Sequence, residues 1–225
     1  MSDKPSWVRE RRRWDSETRE RRDRERIAQL QTLLSVDEGV SELIRSLEDT
    51  GRLDDTLIVF TSDNGFLWGE HRLWGKEVPY RAAHEVPLAI RWDARIAGHL
   101  TIKAPVSTVD ITVTLLDAAD ATPTRSLDGV SLVPLLEGGS GPARDRAFFE
   151  KRTGGGVPGF CAVRTESHVF ARYATGDEEL YEYTTDPHEL RNRVRDPAYR
   201  EVVTALRSDV KGWCRPEPPS REGWG

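Results

Sequence analysis

Four side chains able to do chemistry fall within one short stretch, Thr56–Lys76, which reads TLIVFTSDNGFLWGEHRLWGK. Asp63 and Asn64 stand side by side and offer hard oxygen donors of the kind that Mg²⁺ or Ca²⁺ takes. His71 offers proton transfer or a structural hydrogen bond. Lys76 supplies a point positive charge, which suits a tetrahedral anion. Each has a plainer alternative. Ser-Asp-Asn-Gly forms a solvent-facing Asx turn on its own, and a lysine in a loop is often only a surface charge. Trp68 and Trp74, next to these residues, are either packing residues or a stacking surface for a sugar.

The elements that must position them are legible in pattern. Leu57-Ile58-Val59-Phe60 is apolar at every position and bounded by polar residues, which predicts a fully buried parallel strand ending at Asp63. Ligands of open α/β sheets bind just beyond the carboxyl ends of such strands. Gly65 lets the backbone turn sharply behind the pair. Upstream, Ile27, Leu30, Leu33, Leu34, Val40, Leu43, Ile44 and Leu47 recur at helical spacing, with Gly51 as the cap that ends the helix. Helix, short connection and strand together predict an αβ unit packed on a parallel sheet.

Further along, Val86–Trp92 reads as a second strand, and Thr108 as the cap of a helix running to about Ala119. Thr122–Gly141 reads as an irregular crossing. Phe148–Glu150, Phe160–Arg164, His168–Tyr173 and Leu180–Tyr183 read as short antiparallel strands, with Gly154-Gly155-Gly156 as a loop. Pro197–Trp213 reads as an amphipathic helix through Tyr199, Val202, Val203, Leu206 and Val210. The expected organisation is an α/β portion over residues 1–147, a small α+β subdomain over 148–215, and a disordered tail over 216–225.

Composition narrows the partners. The 225 residues carry a formal net charge of −5, so nucleic acid and anionic membrane are not expected. Arginine and glutamate alternate through Trp7–Arg26, which reads as a solvated helix face held by i,i+4 ion pairs. No apolar run reaches transmembrane length and Met1 leads into charge, so the expected location is cytoplasmic. Two isolated cysteines, Cys161 and Cys214, imply no disulfide framework. His99, His168 and His188 have no clustered partners in sequence, whereas His84 lies next to Glu85 and Val86, with Arg81 and Glu85 spaced to form an ion pair or else free of constraint.

Several motifs in order resemble the second half of the sulfatases, in the alkaline-phosphatase-like superfamily. These are SDNG, GEH and GK, followed by Val86–Arg91 (VPLAIR), Val106–Asp110 (VSTVD) with Thr114–Ala119 (TLLDAA), Asp128–Leu132 (DGVSL) with Pro134–Leu136, and Glu179–Glu182 (ELYE) with Asp186-Pro187, Glu189 and Asn192. The opening Ser-Asp-Lys-Pro resembles a mid-protein segment of the glucosamine-6-sulfatase-like branch. The resemblance implies a doubly wound α/β sheet with flanking helices, followed by a small antiparallel sheet with a packed helix. It implies Asp63 and Asn64 as ligands of Ca²⁺ or Mg²⁺, Lys76 as the cation that holds a sulfate oxygen, His71 as a pocket residue or proton donor, and a sulfate ester as substrate. It also implies Asp110 and Asp128 as turn or cap residues.

Against that pattern the chain departs in one decisive respect. Family members use a cysteine in C-x-[PA]-x-R, oxidised to formylglycine, and neither Gly-Phe-Cys161-Ala-Val-Arg nor Trp-Cys214-Arg-Pro-Glu fits it. The paired N-terminal aspartates of the metal site are also absent. The chain therefore reads as the C-terminal half of an enzyme about twice its length, with the other half supplied as a separate chain or lost. The alternatives are a non-catalytic remnant or binding module that keeps the fold, and a phosphate or phosphonate ester hydrolase of the same superfamily.

Overall fold

The computed structural model describes residues 2–139 and 144–214. The chain opens with a short helix, α1 (Ser6–Arg9), and a long one, α2 (Ser16–Asp49), followed by strand β1 (Ile58–Thr61). Two-residue strands β2 (Leu67–Trp68) and β3 (Trp74–Gly75) form a small ribbon around a 3₁₀ turn at Glu70–Arg72. Then come α3 (Arg81–His84), β4 (Leu88–Arg91), α4 (Thr108–Ala118) and α5 (Val133–Leu136). The chain closes with strands β5 (Ala147–Lys151), β6 (Phe160–Arg164), β7 (His168–Tyr173) and β8 (Glu178–Glu182) and helix α6 (Arg200–Trp213).

The best-built part is the four-stranded antiparallel sheet, in the order β5-β6-β7-β8. Strand β6 is Phe-Cys-Ala-Val-Arg, apolar at four successive positions, because both faces of this sheet are covered. On one face, Cys161, Val163, Phe170 and Leu180 pack against Val203, Leu206 and Val210 of α6. On the other, Val169, Tyr181 and Tyr183 meet Val8 of α1 and Leu67, Leu73, Val78 and Tyr80 of the β2–α3 segment. The loop carrying the candidate residues is thus laid directly on a rigid sheet.

A buried polar knot fixes that contact. Glu179 is 1% exposed and points to the same face as Tyr181, two residues on. It accepts hydrogen bonds from the hydroxyls of Tyr80 (3.1 Å), Tyr173 (2.5 Å) and Tyr181. A buried carboxylate without such donors would be strongly destabilising. Beside it, Glu189 accepts from the backbone N–H of Arg81, at 3.0 and 2.9 Å to its two oxygens, and holds the start of α3.

Three expectations are corrected. Strand β1 pairs antiparallel with β4, Ile58 opposite Arg91, and has no parallel neighbour among the described residues. Nor is it fully buried: Phe60 is 43% exposed, because β4 is its one neighbour among the described residues. Helix α2 is long and capped by Asp15, but none of its residues is buried, and among the described residues it meets the small β2–β3 ribbon, through Arg22 on Trp74 and Gln29 on Trp68, rather than a parallel sheet. Finally, Cys161 and Cys214 are not isolated but form a disulfide across 53 residues, tying the end of α6 to β6.

Other expectations hold closely. Gly51 takes φ +62° just past α2. The cap of α4 is Ser107, one residue earlier than read, in a reciprocal capping box with Asp110. Asp110 also accepts from Val130 N–H at 2.8 Å and from Arg144 at 3.0 Å, so it is a cap and crosslink. The tail expected over 216–225 lies outside the described residues. No described helix is long and apolar enough to cross a membrane.

Candidate active site

Strand β1 ends at Thr61, and the next residues turn at once. Gly65 permits this: a Cβ there would lie 2.1 Å from the Ala82 carbonyl oxygen, while its N–H bonds the Ala83 carbonyl at 2.9 Å. The turn leaves the Asp63 carboxylate outward, its side chain 83% exposed. The Asn64 amide donates through its nitrogen to the Gly65 carbonyl at 3.0 Å, which aims its oxygen the other way. Lys76 reaches back across the β2–β3 ribbon and donates to that Asn64 Oδ1 at 2.5 Å, with its ammonium 3.9 Å from Asp63. Three of the four predicted residues are therefore one cluster of two hard oxygens and one cation.

The cluster lies on the wall of a cleft of about 750 Å³ between the β1–β4 pair, the segment before α4 and the first strand of the C-terminal sheet. Lys103 and His84 line the same cleft. His84 is the lining residue to which the sequence assigns no role. Its signal was weak, because only the fold brings it against Phe149 (ring centroids 4.5 Å) and Tyr183. Burial, and then the Arg164 guanidinium, pull its imidazole down to about 3, so it is neutral at physiological pH. Arg164 and Arg81 both pair with Glu85, at 3.2 and 2.7 Å, which closes the network on this side.

His71 is not with the cluster. It lies in the 3₁₀ turn and stacks on the Tyr80 ring at 4.0 Å. Burial, assisted by the Lys4 ammonium, lowers its pKa to about 4. The loop that carries it is unusual in its backbone: His71, Arg72 and Glu77 take φ of 52°, 62° and 68°. Left-handed backbone at three non-glycine residues in seven is held in place only by surrounding structure, and such strain concentrates at functional sites.

Neither cysteine is a nucleophile in this fold, since each occupies the other. Among the described residues, the remaining group with metal-ligand spacing is Glu150 with these same two cysteines. Asp63 and Asn64 together supply at most three side-chain oxygens of the six to eight that Ca²⁺ takes. The donor set fits part of such a site and not the whole of it.

Comparison with known proteins gives this cluster its context. The family described as "Sulfatase" matches residues 2–121, and that described as "N-sulphoglucosamine sulphohydrolase, C-terminal" matches residues 69–214. An N-acetylglucosamine-6-O-sulfatase of Bacteroides thetaiotaomicron is 32% identical over 205 residues, covering 86% of this chain and 37% of the relative. A choline-sulfatase of Rhizobium meliloti is 35% identical over 191 residues, covering 82% and 36%. A solved structure in complex with D-glucosamine-2-N,6-O-disulfate superposes with a TM-score of 0.71 at 28% identity, over 81% of this chain and 38% of that one. A phosphonate monoester hydrolase of Agrobacterium radiobacter gives 0.67 at 30% identity, over 79% and 38%. The chain spans less than two fifths of the length of these relatives. It belongs to the sulfatase family, in the glucosamine-6-sulfatase-like branch, and corresponds to the family's C-terminal portion.

Proposed function

We propose that this chain supplies one wall of the active site of a sulfate-ester hydrolase acting on sulfated sugars. The observation that carries the reading is the contact of Lys76 with Asn64 and Asp63 in the wall of the cleft. Asp63 and Asn64 would hold a divalent cation, Ca²⁺ or Mg²⁺. When bound, it would polarise the sulfate oxygens and offset charge on the leaving group. Lys76 would hold a second sulfate oxygen, where an ammonium charge stabilises a tetrahedral anion.

The nucleophile and the other metal oxygens come from a segment bearing C-x-[PA]-x-R, which the 225 residues do not contain. Helix α2 supports an incomplete domain: Ile27, Leu30, Leu33, Leu34 and Leu43 are each more than two fifths exposed on it. Apolar stripes of that extent ordinarily lie against another layer of the same domain. The missing layer would cover this helix and the open edge of β1.

The test is complementation. The chain is mixed or fused with a nucleophile-bearing N-terminal segment of a glucosamine-6-sulfatase-like enzyme and offered sulfate, phosphate and phosphonate monoesters with Ca²⁺. Release of sulfate in preference to phosphate or phosphonate supports the reading. Preference for phosphonate transfers the site to the other hydrolases of the superfamily. Failure to turn over any ester, with the two parts shown to associate, leaves the non-catalytic reading in its place.

A further inference from the structure

A second cavity, of about 360 Å³, lies on the other side of Lys76 and is lined by Arg11, Arg12, Arg22 and Arg72. Five cations line it, counting Lys76, and no carboxylate does, in a chain whose net charge is −5. Crowding like charges is unfavourable unless an anion joins them. Two of the five have an acid nearby, Arg22 with Glu25 at 2.6 Å and Lys76 with Asp63 at 3.9 Å, while Asp15 caps α2. Arg22 nonetheless keeps a buried Nε with no acceptor among the described residues.

Arg11, Arg22 and Arg72 are held in place by further contacts, and no carboxylate partner is described for Arg11, Arg12 or Arg72. Arg11 donates to the Gly156 carbonyl at 2.8 Å, and Arg72 to the Arg11 carbonyl at 3.0 Å. Arg22 lies over the Trp74 ring at 4.5 Å, which fixes its guanidinium plane. Arg72 is one of the residues held at positive φ. Planar guanidinium forks beside an indole are suited to a sulfate group on a sugar ring. The volume accommodates one such unit. Lys76 and Val78 line both this cavity and the cleft, so the two are adjacent.

We propose that this arginine-lined cavity is a subsite for a second sulfate of a multiply sulfated sugar, whose scissile sulfate sits at Lys76. The proposal rests on the sulfatase reading for the identity of the substrate, and its test is one of binding, which needs no turnover. The full chain is titrated calorimetrically with an unsulfated disaccharide, its monosulfated form and its disulfated form, in low salt and in 0.5 M NaCl. The disulfated sugar binds at least tenfold more tightly than the monosulfated one, and salt weakens that preference. Arg12→Gln/Arg22→Gln removes the preference, and so does Arg12→Gln in part, a substitution that breaks no hydrogen bond described for the folded chain. Arg24→Gln/Arg45→Gln, equal in charge but on exposed residues outside the cavity, preserves it.

The proposal is overturned by equal affinity for the two sulfated sugars, by no binding of the disulfated one, or by a preference that survives Arg12→Gln/Arg22→Gln. It is also overturned if a short single-stranded DNA binds as tightly as the disulfated sugar, which would make the cavity a general polyanion patch. Loss of hydrolysis in the completed enzyme with the binding preference intact would count against the sulfatase reading and leave the subsite standing.

Discussion

Replacing Glu189 by glutamine should change how the stability of this chain depends on pH, and the size of the effect follows from the geometry. Glu189 is 3% exposed, and its oxygens accept from the Arg81 N–H and the Tyr183 hydroxyl. Burial outweighs these donors and raises its pKa from 4.5 to about 8. A carboxyl that keeps its proton longer in the folded than in the unfolded chain favours folding fully below the unfolded value. That contribution is lost as pH rises toward the folded value, at about 1.4 kcal/mol per pH unit. Between pH 5 and 7.5 Glu189 alone therefore weakens the fold by about 3 kcal/mol.

Other buried groups act over the same range. His71 and His84, lowered to about 4 and about 3, contribute the opposite slope below their unfolded value of 6.5. Glu179, raised by burial, adds to the slope of Glu189, while Lys4, lowered by burial, opposes it on the alkaline side. Comparing wild type with Glu189→Gln at each pH cancels these shared terms. The assay is urea unfolding followed by tryptophan fluorescence at pH 5, 6 and 7.5. Glutamine keeps an acceptor for the Arg81 N–H, and the stability of the variant relative to wild type should rise by about 3 kcal/mol from pH 5 to 7.5. Parallel pH profiles for the two proteins would refute the reasoning, because they would mean that Glu189 titrates alike in both states.

Two further outcomes follow from the fold. Cys161→Ser/Cys214→Ser opens a loop closed across 53 residues, and the chain-entropy account puts the loss at about 4 kcal/mol, read as a lower urea midpoint; an unchanged midpoint would show that the bond does not constrain the unfolded chain. Gly65→Ala sets a methyl 2.1 Å from the Ala82 carbonyl oxygen, so the turn below Asp63 must shift. A loss of about 1–3 kcal/mol is expected in the same assay, against no loss if the turn is free to move.

What the sequence made legible is what local pattern controls. The strands over 160–164 and 168–173 were read to the residue, because dense apolar runs between turn residues leave little choice. The C-terminal helix was read from its one apolar face, the face that meets the sheet. That Asp63, Asn64 and Lys76 meet in the fold was legible because two oxygen donors after a strand, and a lysine after Trp-Gly, lie close in sequence.

The failures share a cause in long-range contacts. An all-apolar run such as 57–60 reports that both faces want cover but not which way the neighbour runs, so β1 was read as parallel. The exposed stripe of α2 reads as a buried one, since the pattern is the same with or without the layer that covers it. Cys161 and Cys214 are 53 residues apart with no spacing signal, and only the packing of α6 on β6 brings them together. His84 and the arginine-lined cavity depend likewise on contacts between distant segments. In the string, Arg11 and Arg12 looked like part of a solvated charge run.

The measurement that bears most directly on the central claim is sulfate release by the completed enzyme when Lys76 or Asp63 is altered. The account predicts that Lys76→Ala and Asp63→Ala each lower kcat/KM for a sugar 6-sulfate by at least a hundredfold, with assembly of the two parts unchanged. Added Ca²⁺ should raise the thermal midpoint of the wild-type assembly but not that of Asp63→Ala. Wild-type turnover in both variants would contradict the account and reduce the Asp63, Asn64 and Lys76 cluster to a surface turn.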